Sequence, residues 1–196
     1  MVSSFDEIEY IGQLKQYTRQ NFKYEISNHV IKMYIDNEIY YTFDCISMKM
    51  DMYERNTKTE LGSFRTEKGS KANFAMLMRN VFNNGNGDIM PDELEKCNSL
   101  EELKLIFEKY LDNQYYSIGS IQTGKVSILL DGEYEILFGA NNKNYSIDRD
   151  SDPEYIFGRF YNEVTYYATF MKNLKEYETI FNEKFSEKEI IDLIGY

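Results

Sequence analysis

Residues 22–52, FKYEISNHVIKMYIDNEIYYTFDCISMKMDM, decide the fold class. Phe22, Tyr24 and Ile26 alternate with polar neighbours, then Ile31, Met33 and Ile35 do so, and then Ile39, Tyr41 and Phe43. A period of two marks half-buried strands, whereas a helix would repeat every three or four residues. Asp36-Asn37 turns the chain between the second and third runs. The phase slips near Cys45, as a bulge would make it do, and Ile46, Met48, Met50 and Met52 then share a face with Ser47, Lys49 and Asp51 opposite. The stretch predicts an antiparallel meander with the methionine stripe in its core.

Working outward, Ser4 and Glu7 have capping-box spacing, and Phe5, Ile8, Ile11 and Leu14 predict an opening helix that ends near Gln20. Asn56 to Gly62 is turn-prone, with a short strand around Phe64. Ser70 then caps a helix carrying Phe74, Leu77, Met78, Val81 and Phe82 on one face. Asn83 to Asp88 stops that helix, Pro91 opens a helical turn, and Ser99 with Glu102 caps a helix bearing Leu103, Phe107 and Leu111. Strand signals return at 115–122, 125–130 and 133–138, with turns at Thr123-Gly124 and Asp131-Gly132. Asp152-Pro153 starts a long helix with Ile156, Phe160, Val164, Tyr167, Met171 and Leu174 in phase, and Ser186 with Glu189 caps a last one. No Gly/Ser/Pro linker interrupts the pattern. The expected architecture is α+β: a single two-layer domain over residues 1–196, with one mainly antiparallel sheet packed against the helices that contain Phe74 and Phe160.

The composition restricts function more than it defines it. Thirty-three acidic against 22 basic residues give 196 residues a net charge of −11, which repels phosphate-rich partners and favours a basic protein. Two cysteines build no disulfide framework and one histidine no zinc cluster, so no cofactor and no metal is expected. No apolar run approaches the roughly 18 residues of a membrane span. Asp6, Glu7 and Glu9 stand where a signal peptide would carry Lys or Arg, so the chain reads as soluble and cytoplasmic.

Four motifs bear on chemistry. Gly119-Ser120-Ile121-Gln122-Thr123-Gly124-Lys125 has the spacing of a phosphate-binding loop, but Val126 replaces the Mg²⁺ ligand and begins a strand, which makes the segment a hairpin turn. Asn84, Asn86, Asp88, Asp92 and Glu95 have calcium-loop spacing, yet Ile89 stands where that loop needs glycine, so the segment reads as a helix stop. His29 is the one base available to Cys45 or Cys97 and lies in a polar turn, which leaves no nucleophilic site. Acids crowd at Asp148, Asp150, Asp152 and Glu154. Capping explains the last two, and leaves Asp148 and Asp150 as candidates to meet a basic partner. Eighteen tyrosines and 13 phenylalanines exceed what a core requires. The pairs Tyr40-Tyr41, Tyr115-Tyr116 and Tyr166-Tyr167 therefore expose rings, and Tyr115, Tyr116 and Tyr166 join the candidate partner-binding set.

The segment from Tyr145 through Asp148, Asp150 and Asp152-Pro153 to Phe157, continuing over Glu163-Val164-Thr165-Tyr166-Tyr167-Ala168, resembles the strand, acidic turn and helix that close some immunity proteins of bacterial polymorphic toxin systems. The resemblance implies a small acidic inhibitor that binds and neutralises a cognate toxin without catalysis of its own. The alternatives are a phage anti-defence protein that imitates nucleic-acid charge, a calcium-binding domain, or an enzyme.

Overall fold

The structure, a computed structural model, describes residues 5–55, 57–83, 89–140 and 142–195. The chain is α+β, as expected, but its strands form two sheets where one was anticipated. The contacts divide the chain into two compact units: residues 1–86 with 173–184, and residues 87–172 with 185–196. Among the described residues no helix is long and apolar enough to cross a membrane.

The first unit opens with α1 (Glu7–Thr18), capped by Asp6, whose carboxylate accepts from the amides of Ile8 and Glu9. The expected cap, Ser4, lies outside the described residues. There follow β1 (Lys23–Ser27), β2 (Val30–Tyr34), β3 (Ile39–Asp44), β4 (Lys49–Glu54) and β5 (Thr57–Ser63), an antiparallel meander in the order of the chain. Cys45 is not in a bulge. Asp44 accepts from the amides of Ile46 and Ser47 and closes a turn between β3 and β4, leaving Ile46 exposed and Met48 at positive φ. Two apolar residues in that turn had made it resemble strand. The actual irregularity lies between β4 and β5, where Met50 pairs with Gly62 but Asp51 pairs with Glu60, so that Leu61 is the extra residue. The segment expected to turn at 57–62 is strand β5, exposed along its length and so without an apolar period to reveal it.

Thr66, not Ser70, caps α2 (Glu67–Phe82), accepting from the amide of Gly69. The Ser70 hydroxyl is buried and hydrogen-bonded to the backbone of Phe64. α1 and α2 cover the inner face of the sheet, where Ile31, Met33, Phe43 and Met50 are fully buried and Phe43 stacks on Phe74 at 5.0 Å. Arg79 of α2 is buried at a junction: it donates to Glu176 at 2.7 Å and to the Tyr17 carbonyl at 3.3 Å, with its guanidinium 4.7 Å from the Tyr17 ring. Glu176 also holds Arg19 at 3.0 Å. Tyr17 donates to the Asn173 carbonyl, while Tyr177 and Phe181 stack at 4.1 Å against Tyr17 and Tyr10.

In the second unit a 3-10 turn (Asp92–Lys96) follows Pro91, and α3 (Leu100–Tyr110) is capped by Ser99 as its spacing predicts. The sheet runs β6 (Tyr116–Ile118), β7 (Val126–Asp131), β8 (Glu133–Ala140) and β9 (Lys143–Asp150). α4 (Pro153–Ile180) gives its residues up to Lys172 to this unit and the rest to the first, and α5 (Glu187–Ile194) begins with a complete capping box at Ser186 and Glu189. Phe107 stacks on Phe160 at 4.9 Å over Val126, Ile128, Ile136 and Phe138.

The segment at 119–125 is not a hairpin turn, because β6 and β7 are parallel. Parallel neighbours ordinarily need a crossover of about a dozen residues. This connection is shorter because β6 is a short strand and the return path runs directly over Gly139. There a Cβ would lie 2.8 Å from the Gln122 carbonyl and 3.1 Å from Ile121.

Two outcomes follow. Gly139→Ala drives a methyl into backbone and should destabilise the protein by about 1–3 kcal/mol in chemical denaturation. The hydrogen bond from Arg79 holds the Glu176 carboxyl below the ordinary value of 4.5, so its contribution is present above that pH and lost as pH falls through the depressed value. Glu176→Gln should therefore cost about 1–2 kcal/mol at neutral pH, between surface-pair and buried-pair values, and should flatten the acid limb of the stability curve.

Candidate functional site

The register of the first sheet aligns one outward-facing residue from each strand: Lys23 opposite Tyr34, Tyr34 opposite Tyr40, Tyr40 opposite Tyr53, and Tyr53 opposite Lys58. The three rings form a ladder. Tyr40 and Tyr53 stack at 4.6 Å and 9°, and Tyr34 tilts against Tyr40 at 5.8 Å. Lys32, in the next row, places its ammonium 3.9 Å from the Tyr40 centroid and 4.7 Å from that of Tyr34, while Lys23 lies 4.6 Å from Tyr34. The Tyr34 hydroxyl beside it holds the Lys32 ammonium above the usual lysine range. Each cross-strand aromatic pair contributes about 0.2–1 kcal/mol and each exposed cation–π contact about 0.5–1, which fixes the rings without burying them.

The adjoining row reads Glu25, Lys32, Thr42, Asp51 and Glu60 across the five strands. Lys58 reaches from the ladder to Asp51 at 3.0 Å. Three lysines (Lys23, Lys32 and Lys58) and three acids (Glu25, Asp51 and Glu60) thus surround the tyrosines, in a chain whose net charge is −11. At the Lys23 end the ladder borders a cleft of about 580 Å³, lined by Phe22, Asp36 and Phe82 together with Lys23 and Tyr34. Phe22 and Phe82 stack there at 5.3 Å.

The residues singled out in the sequence are placed differently. Asp148 and Asp150 lie at the end of β9 rather than in a loop, and both have structural partners. Asp148 accepts from the Tyr155 hydroxyl at 2.9 Å and faces Arg159 at 3.6 Å; Asp150 accepts from the amide of Asp152 at 2.8 Å. Tyr115 is half-buried, edge-on to Tyr167 at 6.0 Å, and neither ring of the Tyr115-Tyr116 pair is exposed. Tyr116 sits in the core of the second unit, and among the described residues its hydroxyl has no hydrogen-bond partner. Tyr166 is exposed while Tyr167 is buried. The structure does not gather this set, since β6 and β9, which carry Tyr116 and the two aspartates, are opposite edges of the second sheet.

The pair Tyr40-Tyr41 divides between the two faces as expected, with Tyr41 buried. Tyr34, Tyr53 and the lysines were missed. Their signal was present in the off-phase positions of the alternation, but aligning them required the register.

His29 pairs with Glu7 at 2.8 Å on the surface, at positive φ. Cys45 donates its backbone amide to the His29 carbonyl, yet its thiol is buried, and burial, with Glu7 and Asp44 nearby, pushes its pKa up to about 12. Burial likewise raises the Cys97 thiol. Of the calcium-type pattern, Asn84, Asn86 and Asp88 lie outside the described residues, and Asp92 and Glu95 are exposed in the 3-10 turn. Among the described residues no three His, Cys, Asp or Glu side chains are grouped to hold a metal ion.

No family model, no curated protein and no solved structure matches the chain.

The thiols provide a direct check. In folded protein at pH 8 both cysteines should resist a thiol-reactive dye and react fully only after denaturation. Rapid modification of Cys45 in the native state would contradict its burial and restore it as a nucleophile.

Proposed function

We propose that the chain is a non-catalytic, cytoplasmic inhibitor that binds a basic protein toxin, in the manner of an immunity protein, and that the tyrosine ladder is its contact surface. The observation that carries this reading is the run of Lys23, Tyr34, Tyr40, Tyr53 and Lys58 across every strand of one sheet. Tyrosine provides large contact area at low entropic cost, and binding energy concentrates on such residues where they lie beside a pocket. The cleft bordered by Phe22, Phe82 and Tyr34 is a place for one anchoring side chain of the partner.

The net charge of −11 favours encounter with a basic surface. Asp148 and Asp150 contribute to that field in this reading, while their bonds to Tyr155 and Asp152 support a lesser part in contact. Tyr166 remains an exposed ring available to a second contact.

The test uses the protein encoded beside this chain in its own genome. Co-expression should protect cells from that protein, and the purified pair should bind. Replacing Tyr40 and Tyr53 together by Ala should weaken affinity by at least roughly 30-fold, about 2 kcal/mol, chiefly through faster dissociation. Asp148→Asn with Asp150→Asn should mainly slow association and flatten its salt dependence. Unchanged binding by the tyrosine variant, with its fold verified by circular dichroism, would remove the ladder from the interface. Catalytic turnover of the neighbour or its product would overturn the inhibitor reading.

A further inference from the structure

In the second unit α4 buries Ile156, Phe160, Val164 and Tyr167 in the core. The opposite face of the same stretch carries Tyr155, Arg159, Asn162, Tyr166 and Thr169, all exposed. Successive steps of four and three residues keep these positions on one side of the helix, which is the spacing of a seam between paired helices. A merely solvated face in a chain with 33 acidic residues would ordinarily hold some of them. This seam holds none, and two half-exposed rings stand on it, Tyr155 at 51 % and Tyr166 at 53 %. Tyrosine and arginine are residues on which binding energy concentrates.

One end of the seam is already ordered. The Tyr155 hydroxyl donates to Asp148 at 2.9 Å, and Arg159 lies 3.6 Å from Asp148 and 2.7 Å from Glu163. Side chains held in place before docking lose less entropy when a partner arrives.

The order of residues along the seam identifies that partner. From Tyr155 to Tyr166 the steps are the same in either direction, with tyrosine at both ends and the hydrogen-bonding pair Arg159 and Asn162 between them. A two-fold axis passing between residues 160 and 161 therefore sets Tyr155 of one copy against Tyr166 of the other, and Arg159 against Asn162, each contact occurring twice. The same operation brings Glu163 beside the second copy's Arg159, and the exposed Lys172 beside the second copy's acidic turn at Asp150, Asp152 and Glu154. Acid meets base along the seam despite the net charge of −11 on each chain, and the two helix dipoles run in opposite directions. We infer that α4 is the interface of a symmetric homodimer, in which two copies pair antiparallel along the seam from Tyr155 to Thr169. At about 1.5 Å of rise per residue the seam is about 21 Å long, too short for a large obligate interface, so the dimer forms reversibly as concentration rises.

The test is sedimentation equilibrium of the full chain over a range of concentrations, with circular dichroism on every variant. Wild type should pass reversibly from monomer to dimer. Tyr166→Ala, at a ring outside the core, should weaken association about tenfold. Asn162→Asp, facing the second copy's Arg159, should tighten association and Asn162→Arg should loosen it, each by about three- to tenfold because the pair occurs twice. Opposite signs at one solvated position do not arise from altered helix stability. Tyr40→Ala with Tyr53→Ala should dimerise as wild type does, which keeps this inference separate from the role of the ladder. The inference is overturned if the chain stays monomeric at its highest concentration, if Tyr166→Ala dimerises unchanged, or if the two Asn162 variants shift association in the same direction. Loss of the dimer in the ladder variant would also overturn it, by placing the second copy on the tyrosine ladder.

Discussion

A guanidinium buried among helices needs an anion, and in the first unit Arg79 finds one 97 residues away, in Glu176. The junction of α1, α2 and the 173–181 segment is built around this pairing. Arg79 simultaneously satisfies the last-turn carbonyl of Tyr17 and covers its ring, so α1 and α2 meet where the charge is neutralised. The segment that brings Glu176 also brings Asn173 to the Tyr17 hydroxyl and Phe181 to Tyr10, closing the aromatic layer above Phe43. A chain ending before this segment would leave a buried cation unpaired, a loss of several kcal/mol by itself. The first unit is therefore discontinuous for an electrostatic reason as well as an apolar one.

With the helices fixed on one face, the meander has a single solvent face, and the period of two assigns every residue to one face or the other. The row Ile26, Ile31, Phe43, Met50 and Gly62 goes inward, and the row that includes the three tyrosines goes outward. Both edge strands, β1 and β5, are exposed, which would ordinarily invite pairing with another chain. Lysine and glutamate occupy both edges, at Lys23 and Glu25 and at Lys58 and Glu60. These charges oppose strand addition and also frame the ladder, which favours contact across the face over extension of the sheet.

The sequence disclosed what depends on a local period or a local cap. The alternation at 31–35 and 39–43, the capping pairs at Ser99 and Ser186, and the helical spacing around Phe74 and Phe160 each concern residues that lie within a turn or two of one another. It misled where an apolar residue served a turn, at Ile46, and where a strand had no apolar period, at 57–63. It also failed where the decisive contact was distant. Nothing within 119–125 reveals that this segment passes over Gly139 and sets β7 parallel to β6, because that geometry requires a bare backbone on another strand. For the same reason the candidate surface was only partly legible: Tyr40 could be assigned to a face from its neighbours, but its alignment with Tyr34 and Tyr53 follows from register, which depends on both turns.

The structural bonds of Asp148 and Asp150 separate two functions of charge. Net charge acts at the range of the Debye length, about 8 Å at physiological ionic strength, and any unpaired surface acid contributes to it wherever it lies. Contact energy acts only where groups are desolvated against a partner, and a carboxylate already bonded to Tyr155 and Arg159 has less to gain there. The ladder has the converse properties: its lysines and acids nearly cancel, so it exerts little long-range field, while its stacked rings are ordered before any partner arrives. In the proposed inhibitor, steering therefore belongs to the acidity of the whole chain, and residence time to a surface that is close to neutral.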